Sequence, residues 1–162
     1  MPVLNRFYKL EFNILNMDKK NKFNLVKLGE FNEKYWDSLP EDKKEIYYEP
    51  EKGKYHTLLI DKKIAGVAGI FISDKCKENG FFQIYIDRKF RGKGLLKKAA
   101  DLICQKYNLK ELIASIKKSN KASTSSHLKY GFKKIDEKKQ QILRDRGLLK
   151  KDEIRLKYYP HT

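Results

Sequence analysis

Residues 81–96, FFQIYIDRKFRGKGLL, constrain the fold of this chain more than any other stretch. Phe81 to Ile86 is rich in aromatic and β-branched residues and reads as a buried strand. It ends in a basic turn, Arg91-Gly92-Lys93-Gly94, after which Leu95, Leu96, Ala99, Leu102 and Ile103 recur at helical spacing. A strand that enters a helix through two glycines leaves unpaired backbone N–H groups at the positive end of the helix dipole. That arrangement binds phosphate or pyrophosphate.

The remaining segments place this unit in an α/β domain. Lys22 to Lys27 alternates as a strand, and Phe31 to Tyr48 reads as helix interrupted at Pro40, with Ser38-Leu-Pro-Glu41 starting a second helix. Tyr55 to Ile60 and Lys63 to Ser73 are strands around a tight Asp61-Lys62 turn, followed by a polar loop, Asp74 to Gly80. After the helix that ends near Asn108 come a strand at Glu111 to Ile116, a helix at Asn120 to Tyr130 and a strand at Phe132 to Ile135. Gln140 to Lys150 reads as a helical or looped connection before a last strand, Glu153 to Tyr159. The order predicts a mixed sheet with one parallel pair, joined by the helix that follows the glycine turn. With 162 residues, no repeat and no linker, one domain is expected. Met1 to Asn21 is an ambiguous lead-in, with apolar residues such as Phe7, Leu10 and Phe12 available to the core.

Charge is distributed unevenly. The net charge is +16. Residues 1–80 hold 15 Lys/Arg against 13 Asp/Glu, whereas residues 81–162 hold 22 against 8, a net of +14. A compositional bias would raise both halves alike, so the asymmetry points to an acidic ligand or partner. Cys76 and Cys104 fit no metal-ligand spacing, and no metal site is expected. No run reaches the roughly 20 apolar residues of a membrane span, so a cytoplasmic protein without membrane contact is expected.

Three glycine-rich readings compete for the turn. A nucleotide P-loop needs Ser or Thr after a Gly-Lys pair, and none follows. A dinucleotide fingerprint needs a third glycine where Lys97 stands. The third reading is an acyl-coenzyme A site, and here the chain resembles the GNAT superfamily of N-acetyltransferases. Arg91-Gly92-Lys93-Gly94-Leu95-Leu96 matches the family's Arg/Gln-x-x-Gly-x-Gly/Ala turn, except that Leu96 stands where Gly or Ala is usual. Asn120-Lys-Ala-Ser123 and Gly131-Phe132 match its second signature, and the likeness runs over about residues 55–159.

That resemblance implies a mixed, mainly antiparallel sheet of six to seven strands with helices on both faces. Residues 1–53 would form the lead-in and acceptor side, 54–137 the cofactor core and 138–162 the C-terminal strand region. It also implies transfer of an acetyl group from acetyl-coenzyme A to a primary amine. The cofactor would lie along Ile84, Tyr85 and Ile86, on the turn residues Arg91 to Leu96, and near Asn120 and Ser123. Backbone N–H near Ile86 would serve as an oxyanion donor. Relatives place a proton-donating tyrosine seven residues after the motif asparagine; here that position is His127, with Tyr130 one turn on as the alternative acid. Glu78, just before the fourth strand, is a candidate general base. The acceptor is not legible. The basic half leaves open an acceptor or partner such as tRNA, rRNA or DNA, and a member that binds cofactor without turnover is the third reading. Either a monomer or a homodimer fits.

Overall fold

The computed structural model describes residues 25–41 and 46–160. The lead-in and the first part of the expected Lys22–Lys27 strand lie outside them. Seven strands form one sheet: β1 Val26–Gly29, β2 Lys54–Ile60, β3 Lys63–Ile72, β4 Asn79–Ile86, β5 Glu111–Lys117, β6 Lys133–Lys134 and β7 Glu153–Tyr158. Their spatial order is β1-β2-β3-β4-β5-β7-β6. Every neighbouring pair is antiparallel except β4 and β5, which run parallel. The hairpin between β2 and β3 turns on Asp61 and Lys62, both with positive φ (47° and 68°), the backbone of a two-residue turn matched to strand twist.

Among the described residues four α-helices accompany the sheet: α1 Glu33–Ser38, α2 Leu95–Tyr107, α3 Lys121–Lys129 and α4 Glu137–Asp145. The main core lies between α2 and one sheet face, where Ala99, Ala100 and Ile103 pack with Ala68, Phe82, Leu112 and Leu156. A second, aromatic core lies on the other face, where Trp36, Leu39 and Ile46 cover Tyr55, Val67 and Tyr85. Alternation along β4 divides its side chains between the two: Phe82, Ile84 and Ile86 go with the α2 side, Tyr85 with the α1 side.

Of the two helices expected across Phe31 to Tyr48, the first spans Glu33–Ser38 and ends ahead of Pro40, as expected, whereas residues 42–45 of the second lie outside the described residues. The Asn32 side chain caps α1 by accepting from the Tyr35 N–H at 2.9 Å, and Leu39, ahead of Pro40, is already extended. Past Ile46 the chain runs as a strap fastened to the sheet. The Gln83 amide accepts from Tyr47 N–H (2.5 Å) and donates to Tyr47 C=O (3.4 Å); the Tyr55 hydroxyl accepts from Glu49 N–H (2.7 Å) and donates to Tyr47 C=O (3.1 Å). The connection expected at Gln140 to Lys150 contains α4, followed by a turn through Gly147 at φ +70°.

Candidate active site

The parallel pairing of β4 with β5 is short. It joins Asn79 to Glu111, Gly80 to Leu112 and Phe81 to Ile113, while β4 continues to Ile86 and β5 to Lys117. Beyond Phe81 the two strands part, while β5 stays paired along its other edge with β7, from Leu112 to Lys117. The Asp87 N–H donates to Ala65 C=O at 2.7 Å, which sets the alternation of β4: the N–H groups of Ile84 and Ile86 turn away from β3, toward the gap.

A cleft of about 380 Å³ opens at this gap. Its walls hold Ile84, Tyr85, Ile86, Arg91, Gly92, Gly94, Leu95, Leu96, Asn120, Ser123, His127 and Tyr130 together. Of the residues expected there, Lys93 and Glu78 are not in the wall. The Lys93 ammonium sits 5.9 Å from the Phe90 ring, beside the cleft. Glu78 precedes β4 at its far end, roughly 25 Å along the strand from Ile86 at about 3.3 Å per residue. It pairs with Lys110 at 2.8 Å, and its carbonyl receives the N–H groups of Lys110 and Glu111. It is a joint of the β4–β5 edge, and the general-base role is withdrawn from it.

Backbone geometry suits the cleft to an anion. Gly92 and Gly94 have φ of +74° and +80°, a conformation that side-chain-bearing residues resist. Gly94 caps α2 without any side-chain bond to its first turn, so the N–H groups there keep their free valence toward the cleft. The Arg91 guanidinium reaches back to donate to Ile86 C=O at 2.8 Å, tying the turn to the end of β4. Across the cleft, the Asn120 side chain accepts from Ser123 N–H at 3.1 Å and starts α3. Leu96 is almost wholly buried and belongs to the main core, so its extra bulk is taken up there.

Two aromatic residues of α3 face this space differently. His127 is buried, with its ring 4.8 Å from that of Phe132, edge on. Its Nδ1 lies 2.8 Å from Ser123 C=O; a carbonyl only accepts, so Nδ1 carries the proton and Nε2 the lone pair. Burial holds its pKa below the usual histidine value, with the Ser123 bond opposing. Tyr130 ends α3 beside the glycine turn, its ring 3.7 Å from where a β-carbon on Gly94 would stand.

Three residues of the site have no motif to announce them. Gly66 on β3 faces the end of β4: a β-carbon there would lie 2.0 Å from the Tyr85 carbonyl oxygen and 3.1 Å from Ile86 Cα. Gln83, on the same strand face as Tyr85, is spent on the Tyr47 backbone. The Tyr35 hydroxyl is buried without a hydrogen-bond partner among the described residues, and its pKa is raised by burial and by Asp87 and Tyr85 nearby. Among the described residues, no group of His, Cys, Asp and Glu could hold a metal ion, and no helix is long and apolar enough to cross a membrane.

Residues 23–132 match the family model "Acetyltransferase (GNAT) family". No curated protein sequence matches the chain significantly. Among solved structures, the Campylobacter jejuni N-acetyltransferase PseH in complex with acetyl coenzyme A aligns at 19% identity and TM-score 0.60, covering 85% of this chain and 100% of its own. A spermidine N-acetyltransferase SpeG chimera from Vibrio cholerae and hSSAT aligns at 15% identity and TM-score 0.62, covering 84% and 96%. A Bacillus subtilis acetyltransferase in complex with CoA aligns at 21% and 0.57, covering 84% and 98%. At these identities the structures establish the fold, and the family model establishes membership. The chain belongs to the acetyltransferase (GNAT) family, enzymes that use acetyl-coenzyme A as acyl donor.

Proposed function

We propose that this protein transfers an acetyl group from acetyl-coenzyme A to a primary amine that approaches on the Tyr85 side of the sheet. The observation that carries the proposal is the parting of β4 from β5 after Phe81, directly opposite the uncapped start of α2. The residues present fit the donor. Residues 91–97 suit its pyrophosphate, and the gap offers the strand edge at Ile84 and Ile86 to its amide arm. When bound, its thioester supplies the activated acyl group.

The chain's own groups do the rest. The Ile86 N–H, turned into the gap, is placed to donate to the carbonyl oxygen as negative charge develops there. Helices α2 and α3 fill one face of the gap, so the amine arrives from the other, where Tyr85 and the Tyr47–Glu49 strap stand. As the amine nitrogen bonds to the acyl carbon, the bond to sulfur breaks and the thiolate takes a proton. Neutral His127, its one N–H given to Ser123, has none to give; Tyr130 has a free hydroxyl hydrogen and is the proton donor in this reading. Among the described residues no carboxylate lines the cleft, so in this reading the amine arrives neutral or loses its proton through water.

The excess of +14 in residues 81–162 favours a second reading, in which the acceptor belongs to a nucleic-acid or ribosomal assembly. Free-thiol release across classes of amine, alongside melting with and without acetyl-coenzyme A, tests the first reading. No melting shift would remove the donor assignment. A shift without thiol release for any amine would make the protein a binder without turnover. RNA or DNA affinity that falls steeply with salt would support the second reading.

A further inference from the structure

We propose that the acceptor carries a carboxylate or phosphate besides its amine, and that Arg155 holds that anion about 10–15 Å from the reacting thioester. The inference rests on the acetyl-transfer reading above. Arg155 lies on β7, cross-strand from Ser115, and is only 7% exposed. A buried guanidinium is costly unless it is neutralised, and the usual solution is a carboxylate held in a bidentate pair.

Here that solution is absent. Arg155 Nε donates to the Ser115 hydroxyl at 3.1 Å and one terminal nitrogen to Leu148 C=O at 2.8 Å, both neutral acceptors. Among the described residues no carboxylate forms an ion pair with it. Glu153, two residues away on the same strand face, acts on it only through space and instead accepts from Lys150 N–H at 3.4 Å. The cation lies 5.3 Å from the Phe81 ring centre, so the side chain reaches across β5 to β4. Burial lowers its pKa, the sign of a charge without a full counterweight.

Its position ties it to the acceptor. Ile154, Leu156 and Tyr158 face the α2 core, so Arg155 faces the opposite side, as Tyr85 does on β4. Phe81, under the guanidinium, is 39% exposed and stands four residues before Tyr85, or roughly 13 Å of strand. An extended acceptor with its amine at the gap and its anion over Phe81 would complete the guanidinium's coordination. A purely structural Arg155, fastening the Leu148 turn to β5, would have no such effect on ligand choice.

The test is a set of matched acceptors differing only in the anion: tetraalanine against its C-terminal amide, an ω-amino fatty acid against the alkylamine of equal length, and an aminoalkyl phosphate against the amino alcohol. In the wild type the anionic member of at least one pair is expected to have a KM about tenfold lower, the range of one charged hydrogen bond. R155Q should bring that ratio to near one while leaving the KM for acetyl-coenzyme A unchanged. R155K, which keeps charge without the fork, should retain part of the ratio and guards against a misfolded R155Q. Preference for carboxylate or for phosphate identifies the anion. Equal KM values in every pair, rejection of all anionic members, or a ratio that survives R155Q would overturn the proposal. If acetyl-coenzyme A still raises the melting temperature and some amine still releases thiol in those cases, the acetyl-transfer reading stands without it. If either is missing, that reading falls first and takes this one with it.

Discussion

Gly66→Ala tests the idea that the end of β4 is held in a special position by a missing side chain on its neighbour. The added β-carbon would start 2.0 Å from the Tyr85 carbonyl oxygen, a backbone atom that cannot rotate aside. Ordinary contact needs a little over 3 Å, so β4 must retreat by about 1 Å at Tyr85–Ile86 or β3 must give way by as much. Overpacking of this kind costs about 1–3 kcal/mol, which for a chain of this size lowers the melting temperature by roughly 2–12 °C. The larger effect is on the chemistry. The moved segment carries the Ile86 N–H assigned to the developing oxyanion, and a misplacement of about 1 Å costs on the order of a hundredfold in rate. Steady-state thiol release at saturating acetyl-coenzyme A measures kcat, and melting with and without it shows whether the folded variant still binds. A folded G66A with wild-type kcat would refute the reasoning, because the strand end would then tolerate the displacement that the geometry forbids.

Gly94→Ala places a β-carbon at φ +80°, 3.7 Å from the Tyr130 ring and in the path of the phosphates; the acetyl-coenzyme A melting shift should be lost while the apo protein loses about 1 kcal/mol. Tyr130→Phe should lower kcat by about a hundredfold with little change in the melting shift, and an unchanged kcat would remove the proton-donor role from this residue. His127 and His56 both have pKa values lowered chiefly by burial, so the unfolded chain takes up more protons than the folded one just below neutrality. Stability should be fully present above about pH 6.5 and fall as pH drops below it; melting followed from pH 8 to pH 5 should show a shallower fall in H127Q. Asp101 joins α2 to β7 by accepting from Lys97 Nζ at 2.8 Å and from the buried Tyr158 hydroxyl. D101A should lower the melting temperature by roughly 2–10 °C and leave the KM for acetyl-coenzyme A within about twofold, and a loss confined to binding would contradict that structural role.

Local features of this fold were legible because their causes are local. The glycine turn, the Asn120 cap and the Asp61-Lys62 hairpin each depend on residues within four positions, and each stands where the residues place it. Gly66 and Arg155 were invisible for the opposite reason. The value of Gly66 comes from facing Ile86 across the β3–β4 ladder, twenty residues away, and that of Arg155 from reaching Ser115 and Phe81 across two strands. A chain read in order holds no register between β4, β5 and β7. The segment after Pro40 differs in a third way: the break at Pro40 stands where the residues place it, but local spacing carries the second helix to Tyr48, whereas tertiary bonds from Gln83 and Tyr55 draw the chain past Ile46 out as a strap.

The two departures from the family pattern, Leu96 and His127, share one physical answer. Each replaces a residue that the pattern keeps small or aims at the substrate, and each is buried, at 3% and 6% exposure. Leu96 joins the apolar cluster with Ile103 and Phe132, and His127 lays its ring edge on the same Phe132 while closing a bond to Ser123 within α3. Both side chains thus pack into the core while still forming part of the cleft wall. Beside them in the cleft stand groups that no substitution removes, the backbone of β4 and of the first turn of α2, together with Tyr130. In the acetyl-transfer reading the donor is held mostly by backbone, and such a cleft tolerates these changes, since main-chain geometry survives a change of side chain. Its weak points are therefore the positions that shape the backbone itself: Gly92, Gly94 and, above all, Gly66.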